Sequence, residues 1–344
     1  MKQTNHAGFC IQFPRANQAT FEPFSTNRPE SGQVLLKTKV SLLSTGTETI
    51  VFSRNFDAGT HWDDWVRYPF FPGYASAGVV VETGEDVTGF RPGDLVVCRQ
   101  GHRSHSTLSA SDCYPVPAGL PPEEAVWFPL AKIAGHGVRA AGITLGDSVA
   151  IIGAGPIGQM TARWALAAGA GKVVVMDRAE TRLAMAASAG AIPVQASAEE
   201  ALDQVRSALG GAKPRVVIDT TGNAAVLQTA FGLVADFGTV VLLGDTGSPA
   251  RQTLTADVIT RGIRLVGAHD GHNTAEWNNP VAAAHFFHFV LGGRFSMRGL
   301  NTHCFSPAAC QEAYDLAAGD RLRTMGILFD WSLIAPRDKT LKSN

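Results

Sequence analysis

The chain has 344 residues, of which 45% are hydrophobic and 17% charged, with 36 glycines; this balance points to a globular protein of two domains or one large one and excludes a disordered chain. The formal net charge is −1 and the pI about 6.8, so no global basic field exists to attract nucleic acid or an anionic membrane. No stretch approaches the roughly 18 apolar residues of a membrane span, and Met1 to Pro14 holds a single Lys and no apolar run, so neither a membrane helix nor a signal peptide is expected, and the cytoplasm is the expected compartment.

Taken in chain order, the first 120 residues read as β-rich. Short apolar runs at Val34–Val40, Gly78–Glu82 and Leu95–Cys98 are separated by turn signals such as Arg91-Pro92-Gly93-Asp94, the pattern of a small barrel or sandwich. The Pro-rich Tyr114–Pro122 closes that region. Helical signals follow over Glu123–Ala141. Strands are then predicted at Ser148–Ile152, Lys172–Met176, Arg215–Asp219, Thr239–Leu243 and Arg264–Val266, with helices at Met160–Ala168, Thr181–Ser188, Ala224–Val234 and Asp257–Thr260. Alternation of this kind means a parallel sheet with crossover helices. The remainder is mixed, with helices predicted at Pro280–Leu291 and Pro307–Ala318. The five cysteines (Cys10, Cys98, Cys113, Cys304, Cys310) are scattered and form no C-x-x-C pair, so neither a disulfide framework nor a zinc knuckle is signalled.

The strand Val149–Ile152 runs into Gly153-Ala154-Gly155-Pro156-Ile157-Gly158 and then a helix. In this phosphate cradle Gly153 permits the tight turn, Gly155 lets the backbone approach a pyrophosphate, and Gly158 lets helix and strand pack closely, while the helix N-terminus offers N–H groups to the phosphates. Asp177 ends the next strand, 19 residues after Gly158, where a carboxylate accepts from ribose hydroxyls. It repels a 2′-phosphate, which favours NAD over NADP; Arg178 follows directly and softens that preference.

With the cradle in place, the chain resembles the medium-chain dehydrogenase/reductase superfamily over nearly its whole length. Gly73–Val80 and Gly93–Val96 resemble the family's G-H-E…G-V-V…G-D-x-V stretch, and Val217–Gly222 and Gly238–Gly244 resemble two later strands and their turns. Within the superfamily, Ser44–Glu48 with Pro72-Gly73-Tyr74 is most similar to the bacteriochlorophyllide dehydrogenase branch, which implies the branch and not the substrate. The resemblance implies an α/β protein: a GroES-like β-rich substrate domain (residues 1–125), a doubly wound Rossmann domain that binds NAD (126–268) and a C-terminal return to the substrate domain (269–344). It also implies contact with the cofactor at Gly153, Gly155, Pro156, Ile157, Gly158, Asp177, Arg178, Thr221, Gly244 and His269, and a homodimer or homotetramer.

Zinc enzymes of the family hold the metal with a Cys in a C-G-T-D-like motif, the His of G-H-E and a third ligand before the Rossmann domain. Here those positions read Thr45, Tyr74 and, 25 residues before Gly153, Phe128. None supplies the thiolate, imidazole or carboxylate that zinc takes, and the four-cysteine structural lobe is missing, so no metal is expected. A rival cluster, Cys98, His102, His105 and Cys113, has spacings that fit no usual zinc pattern.

Without zinc, side chains must polarise the substrate oxygen and take its proton. The resemblance places three candidates near the nicotinamide. Thr47 matches the hydroxyl that relays the proton in zinc relatives. Tyr74 replaces a ligand and has a phenol to donate; alternatively it only fills the vacated space. Lys132 lies one helical turn beyond Phe128, and desolvation would lower its pKa toward neutrality; alternatively it is exposed or paired with a carboxylate. Glu48 is read as structural, His136 as packing, His285 and His288 as core histidines, and His269-Asp270 as lying at the domain junction near the cofactor. Two insertions, His61–Trp65 and Asn273–Asn279, combine Trp with polar groups, which suits a ring bearing hydroxyls or, equally, an oligomer contact.

The expected function is hydride transfer between NAD and a secondary alcohol (polyol, sugar or cyclitol) without catalytic zinc. Two alternatives stand beside it: a zinc-free quinone or enoyl reductase, disfavoured by Asp177, and a non-catalytic NAD-binding protein, disfavoured by the intact cradle.

Overall fold

The computed structural model describes residues 5–197 and 200–334. The chain opens with an antiparallel hairpin, β1 (His6–Arg15) and β2 (Gln18–Thr26), turned at Asn17 in left-handed conformation (φ 59°). Next come β3 (Gln33–Leu43), helices α1 (Thr47–Ser53) and α2 (His61–Trp65), then β4 (Ser76–Thr83), β5 (Leu95–Cys98), β6 (His105–Ser109) and β7 (Cys113–Pro115). Two helices, α3 (Pro122–Ala125) and α4 (Phe128–Ala141), lead into the alternating region. There β8 (Ser148–Ile152), α5 (Pro156–Ala167), β9 (Lys172–Asp177), α6 (Glu180–Ser188), β10 (Ile192–Gln195), α7 (Leu202–Ala208), β11 (Val216–Asp219), α8 (Val226–Leu233), β12 (Thr239–Leu242), α9 (Asp257–Thr260) and β13 (Arg264–Gly267) succeed one another. The chain ends with α10 (Asn279–Leu291), β14 (Asn301–Phe305), α11 (Cys310–Gly319) and β15 (Gly326–Asp330).

Strands β8 to β13 form one parallel sheet in the order β10-β9-β8-β11-β12-β13. Counted from β8 this is the 3-2-1-4-5-6 order of a doubly wound fold, whose ligand crevice lies at the carboxyl ends of the strands where the order reverses, here β8 and β11. The central strands are apolar and buried on both faces, because crossover helices cover each side; Val216–Asp219 is buried throughout. The second sheet runs β14-β15-β3-β4-β5-β7, with β6 also on β3. Strand β15 pairs with β3 (Ile327 opposite Leu43), so the C-terminal segment returns to the β-rich half. The expected fold class is the one observed: a GroES-like β-rich unit joined to a doubly wound α/β sheet.

Helix α4 bridges the two halves. It carries Pro129 in its first turn, stops at Gly142 in the left-handed region (φ 63°), and is buried along most of its length among α5, α10 and β12.

Several elements were not anticipated. Strands β1, β2, β14 and β15 lack a clean period-2 apolar pattern, and β10 and α7 are short and half-exposed. The helix predicted at Pro307–Ala318 begins as a 3-10 turn, Pro307–Ala309, before α11. His285 and His288 are exposed rather than core residues; His285 stacks on Trp277 from the solvent side of α10.

Candidate active site

The cradle stands at the carboxyl end of β8. Gly153 takes φ 96°, and a Cβ there would lie 2.9 Å from Thr220 Oγ1 and 3.0 Å from Thr221 Cγ2 at the end of β11. A Cβ on Gly158 would fall on the Gly153 carbonyl oxygen, so glycine is what lets α5 approach β8. Gly155 differs: a Cβ there would meet only Arg182 Nη1, at 3.6 Å, which leaves its backbone open toward the cleft. Pro156 occupies the first turn of α5 and no side chain caps that helix, so the first N–H groups, Ile157 and Gly158 among them, stay available to an anion. The open glycine face and uncapped helix fit a dinucleotide pyrophosphate.

Asp177 sits at the end of β9 with one carboxylate oxygen accepting from Ala154 N–H (2.7 Å) and the other from Ala179 N–H (2.9 Å). These bonds hold the carboxylate beside the cradle. Arg178 is exposed. Thr221 donates N–H and Oγ–H to Asp219 Oδ1 (2.8 and 2.7 Å), and Gly244 packs so closely on the 220–222 turn that no side chain fits. His269 is exposed at the end of β13, its Nδ1 accepting from Gly271 N–H. The predicted cofactor residues thus gather along the carboxyl edge of the parallel sheet.

Two cations there were not anticipated. Arg182 on α6 lies against Gly155 and donates to Thr324 O (2.8 and 3.2 Å). Arg321, from the other half of the molecule, donates to Thr49 Oγ1 at 2.6 Å. Burial lowers the Arg182 pKa, Asp177 opposes that, and the charge of Arg321 adds to the lowering. Arg182, five residues after Asp177, was within reach of sequence reasoning; Arg321 was not.

Beyond the cradle lies the place where zinc enzymes of the family carry their metal. Phe128 is fully buried and edge-on to Tyr114 (5.1 Å between ring centroids). The Thr45 carbonyl accepts from Thr49 Oγ1 at 2.7 Å. The Tyr74 phenol lies 2.6 Å from Ser44 Oγ. A phenyl ring, a threonine and a neutral phenol do not fit a zinc ion. Burial raises the Tyr74 pKa, and hydrogen bonds with Ser44 and Thr47 pull it back, so the phenol is protonated at neutral pH and able to donate. Tyr74 thus shares its phenol oxygen with the Ser44 and Thr47 hydroxyls.

Lys132 is almost fully buried (2% exposed), so it is not an exposed helix residue, and it is paired with a carboxylate, that of Asp270, as the other alternative has it. Its Nζ donates to the Asp270 carbonyl (2.8 Å) and lies 3.1 Å from Asp270 Oδ1. Burial lowers its pKa; Asp270 opposes, and Arg99 adds to the lowering. Arg99 completes the group, 2.5 Å from Asp270 Oδ2 and with its guanidinium over the Tyr74 ring at 5.2 Å. Lys132 is thus linked to Tyr74 through Asp270 and Arg99. His136, one turn along α4, is buried edge-on to Trp277, and burial takes its pKa down to about 4.

Glu48 is structural, as read. It is buried and accepts from Ser44 N–H (2.8 Å), Tyr314 O–H (2.5 Å) and His102 (3.0 Å). That bond and one to Ser41 (2.8 Å) occupy both ring nitrogens of His102, while His105 faces Ser104, so the Cys98–His102–His105–Cys113 set does not converge. Among the described residues, no group of three or more His, Cys, Asp or Glu side chains is placed to hold a metal ion. The two tryptophan insertions also correct an expectation. Trp62 is buried with its indole N–H on Thr246 O (3.2 Å), and Trp277 is buried against Trp164 and α4; both are packing residues rather than walls of a substrate pocket. Trp65 is exposed.

Comparison with known proteins agrees with this architecture. The alcohol dehydrogenase GroES-like domain family matches residues 30–126, and the zinc-binding dehydrogenase family matches residues 156–285. The chain is 24% identical to L-threonine 3-dehydrogenase of Bacillus licheniformis, covering 89% of this chain and 94% of that one. It is 29% identical to human sorbitol dehydrogenase, covering 73% and 77%. Among solved structures, an oxidoreductase/dehydrogenase of unknown specificity from Escherichia coli superposes with a TM-score of 0.82 at 20% identity, over 94% of this chain and 99% of that one. A GroES-like unit joined to a Rossmann sheet with an intact cradle defines an NAD(P)-dependent dehydrogenase, and the chain belongs to the medium-chain dehydrogenase/reductase superfamily. It is an oxidoreductase of the alcohol dehydrogenase type. No described helix is long and apolar enough to cross a membrane.

Proposed function

We propose that this protein oxidises a small polar secondary alcohol with NAD and without catalytic zinc. The observation that carries the reading is the side-chain set at the family's metal position: Thr45, Tyr74 and Phe128 in place of ligands, with the Tyr74 phenol on Ser44 and the buried Lys132 linked to it through Asp270 and Arg99. The sorbitol and threonine dehydrogenases among the relatives, both acting on substrates with a hydroxyl group, support the substrate class. Asp177, pinned by two amides beside the cradle, supports NAD over NADP.

The bound cofactor supplies the hydride acceptor. The chain's own residues do the rest. Tyr74 donates its phenolic hydrogen to the substrate oxygen and stabilises negative charge as it develops there, the task a metal performs elsewhere. As the neutral amine, Lys132 has two N–H donors, for which Asp270 supplies acceptors, and a lone pair left to accept the substrate's hydroxyl proton. With its pKa lowered by burial, the amine takes the hydroxyl proton in oxidation and returns it in reduction. Thr47 orients the phenol.

Metal analysis of the purified protein with assays before and after chelation tests the zinc-free reading: activity unchanged by chelator upholds it, and one zinc per chain, lost together with turnover, overturns it. Lys132→Ala is expected to lower turnover at least about tenfold while NADH still binds; unchanged turnover removes Lys132 from the mechanism.

A further inference from the structure

Asp270 stands in the loop after β13, at the carboxyl edge of the parallel sheet. It holds residues from both halves of the molecule. Its carboxylate lies 2.5 Å from Arg99, in the loop after β5, and 3.1 Å from Lys132 on α4, and its carbonyl accepts from Lys132 at 2.8 Å. Arg99 in turn lies over the Tyr74 ring. We propose that Asp270 is a positioning residue of the active site: one carboxylate, shared by Lys132 and Arg99, sets the two groups that handle the substrate oxygen at a common place. The proposal rests on the roles given above to Lys132 and Tyr74.

The physical case begins with burial. An ammonium that is 2% exposed needs a counter-charge and hydrogen-bond acceptors, and Asp270 supplies both. Arg99 and Asp270 are each about one-quarter exposed, so the pair is partly desolvated and its planar fork holds the guanidinium in one orientation. That orientation puts a cation on the Tyr74 ring face. The charged and titratable groups facing Lys132 are Asp270, Arg99 and His136 on its own helix, and His136 is neutral above a pH of about 4. Asp270 is therefore the group that keeps a proton on Lys132, against burial and Arg99. Without its charge, the amine gives up its proton at lower pH. Without Arg99, the carboxylate serves Lys132 alone and the amine keeps its proton to higher pH.

The test uses Asp270→Asn, Asp270→Glu and Arg99→Gln in the full chain. Two quantities are read: the pH dependence of kcat for alcohol oxidation, and the titration of the Lys132 amine followed by NMR on protein biosynthetically labelled with 13C at lysine Cε, with Lys132→Arg assigning the signal. In D270N the Lys132 titration and the ascending limb of kcat are expected to move together to lower pH, by about one unit or more. D270E is expected to restore both, and R99Q to move both the opposite way. NADH binding by fluorescence reports that each variant is folded. If D270N does not fold, R99Q alone decides through the sign of its shift. An unmoved Lys132 titration in a folded D270N, or an acid shift in R99Q, overturns the positioning role. A titration that moves while the kcat limb stays put upholds the Asp270–Lys132 coupling and overturns instead the assignment of proton transfer to Lys132.

Discussion

The Tyr74 phenol oxygen and Ser44 Oγ lie 2.6 Å apart, at the position where zinc enzymes of this family hold their metal. The contact orients the phenol, and burial, which raises its pKa against the pull of that contact, keeps it protonated. Tyr74→Phe keeps the ring and its packing but removes the donor. Turnover is expected to fall about 100–1,000-fold, the range for loss of one oxyanion-stabilising donor, with NADH affinity within about twofold of the parent. Steady-state kinetics beside a fluorescence titration check this. Equal turnover in the two proteins would reduce Tyr74 to a filler of the vacated space.

Asp177 accepts from Ala154 and Ala179 and cannot easily turn away from the cradle. Asp177→Ser is expected to weaken NADH binding about tenfold, by loss of a charge-assisted bond to a ribose hydroxyl, and to strengthen NADPH binding, by removal of the repelling charge. Dissociation constants for the two reduced cofactors, measured on parent and variant, decide it. A preference for NADPH in the parent would contradict the cofactor assignment.

The glycines of the cradle are expected to part company. In Gly158→Ala the new methyl meets the Gly153 carbonyl, which is backbone and cannot step aside, so α5 must shift off β8. A loss of several degrees in Tm and of NADH binding follows. In Gly155→Ala the methyl meets only the end of the Arg182 side chain, at 3.6 Å. That variant is expected to keep the parent Tm within about two degrees and to lose affinity only. Thermal unfolding and NADH titration of both proteins test the contrast; a destabilised Gly155→Ala would be the contrary result.

His136 gives the stability a pH dependence. Its folded pKa is about 4, lowered chiefly by burial, against 6.5 for the unfolded chain. Between those values the unfolded state binds a proton that the folded state refuses, so stability falls as pH drops through that window, by up to about 3 kcal/mol. Asp219 acts in the opposite sense: burial raises its pKa to about 6, so it favours the folded state as pH falls below that value. The comparison is therefore made between the parent and His136→Phe, which keeps an aromatic ring beside Trp277. The variant is expected to lose less Tm than the parent from pH 7 to pH 5. Parallel losses would mean that His136 is not held neutral.

The parts legible in the sequence are those that physics makes local. The cradle is one continuous strand, turn and helix, with three glycines whose spacing follows from backbone approach, and Asp177 ends the adjacent strand. The alternating strands and helices declare a parallel sheet because both faces of each strand must be apolar. The hairpin β1–β2 and the pair β14–β15 were missed because their partners, not their own patterns, make them strands. The tryptophans misled for a similar reason: Trp62 and Trp277 look like ring platforms in isolation, and only their packing under Thr246 and against Trp164 makes them core.

The sequence by itself determined the fold family, the dinucleotide cradle and the loss of the metal's ligand types at Thr45, Tyr74 and Phe128. Each of these depends on residue identity at short, fixed spacing. Only the tertiary structure decided how Lys132 and Tyr74 are joined. Asp270 is 138 residues from Lys132 and 171 from Arg99, and no periodicity or spacing relates them. A buried ammonium needs a counter-charge, but which carboxylate answers it is settled by how two sheets close on each other.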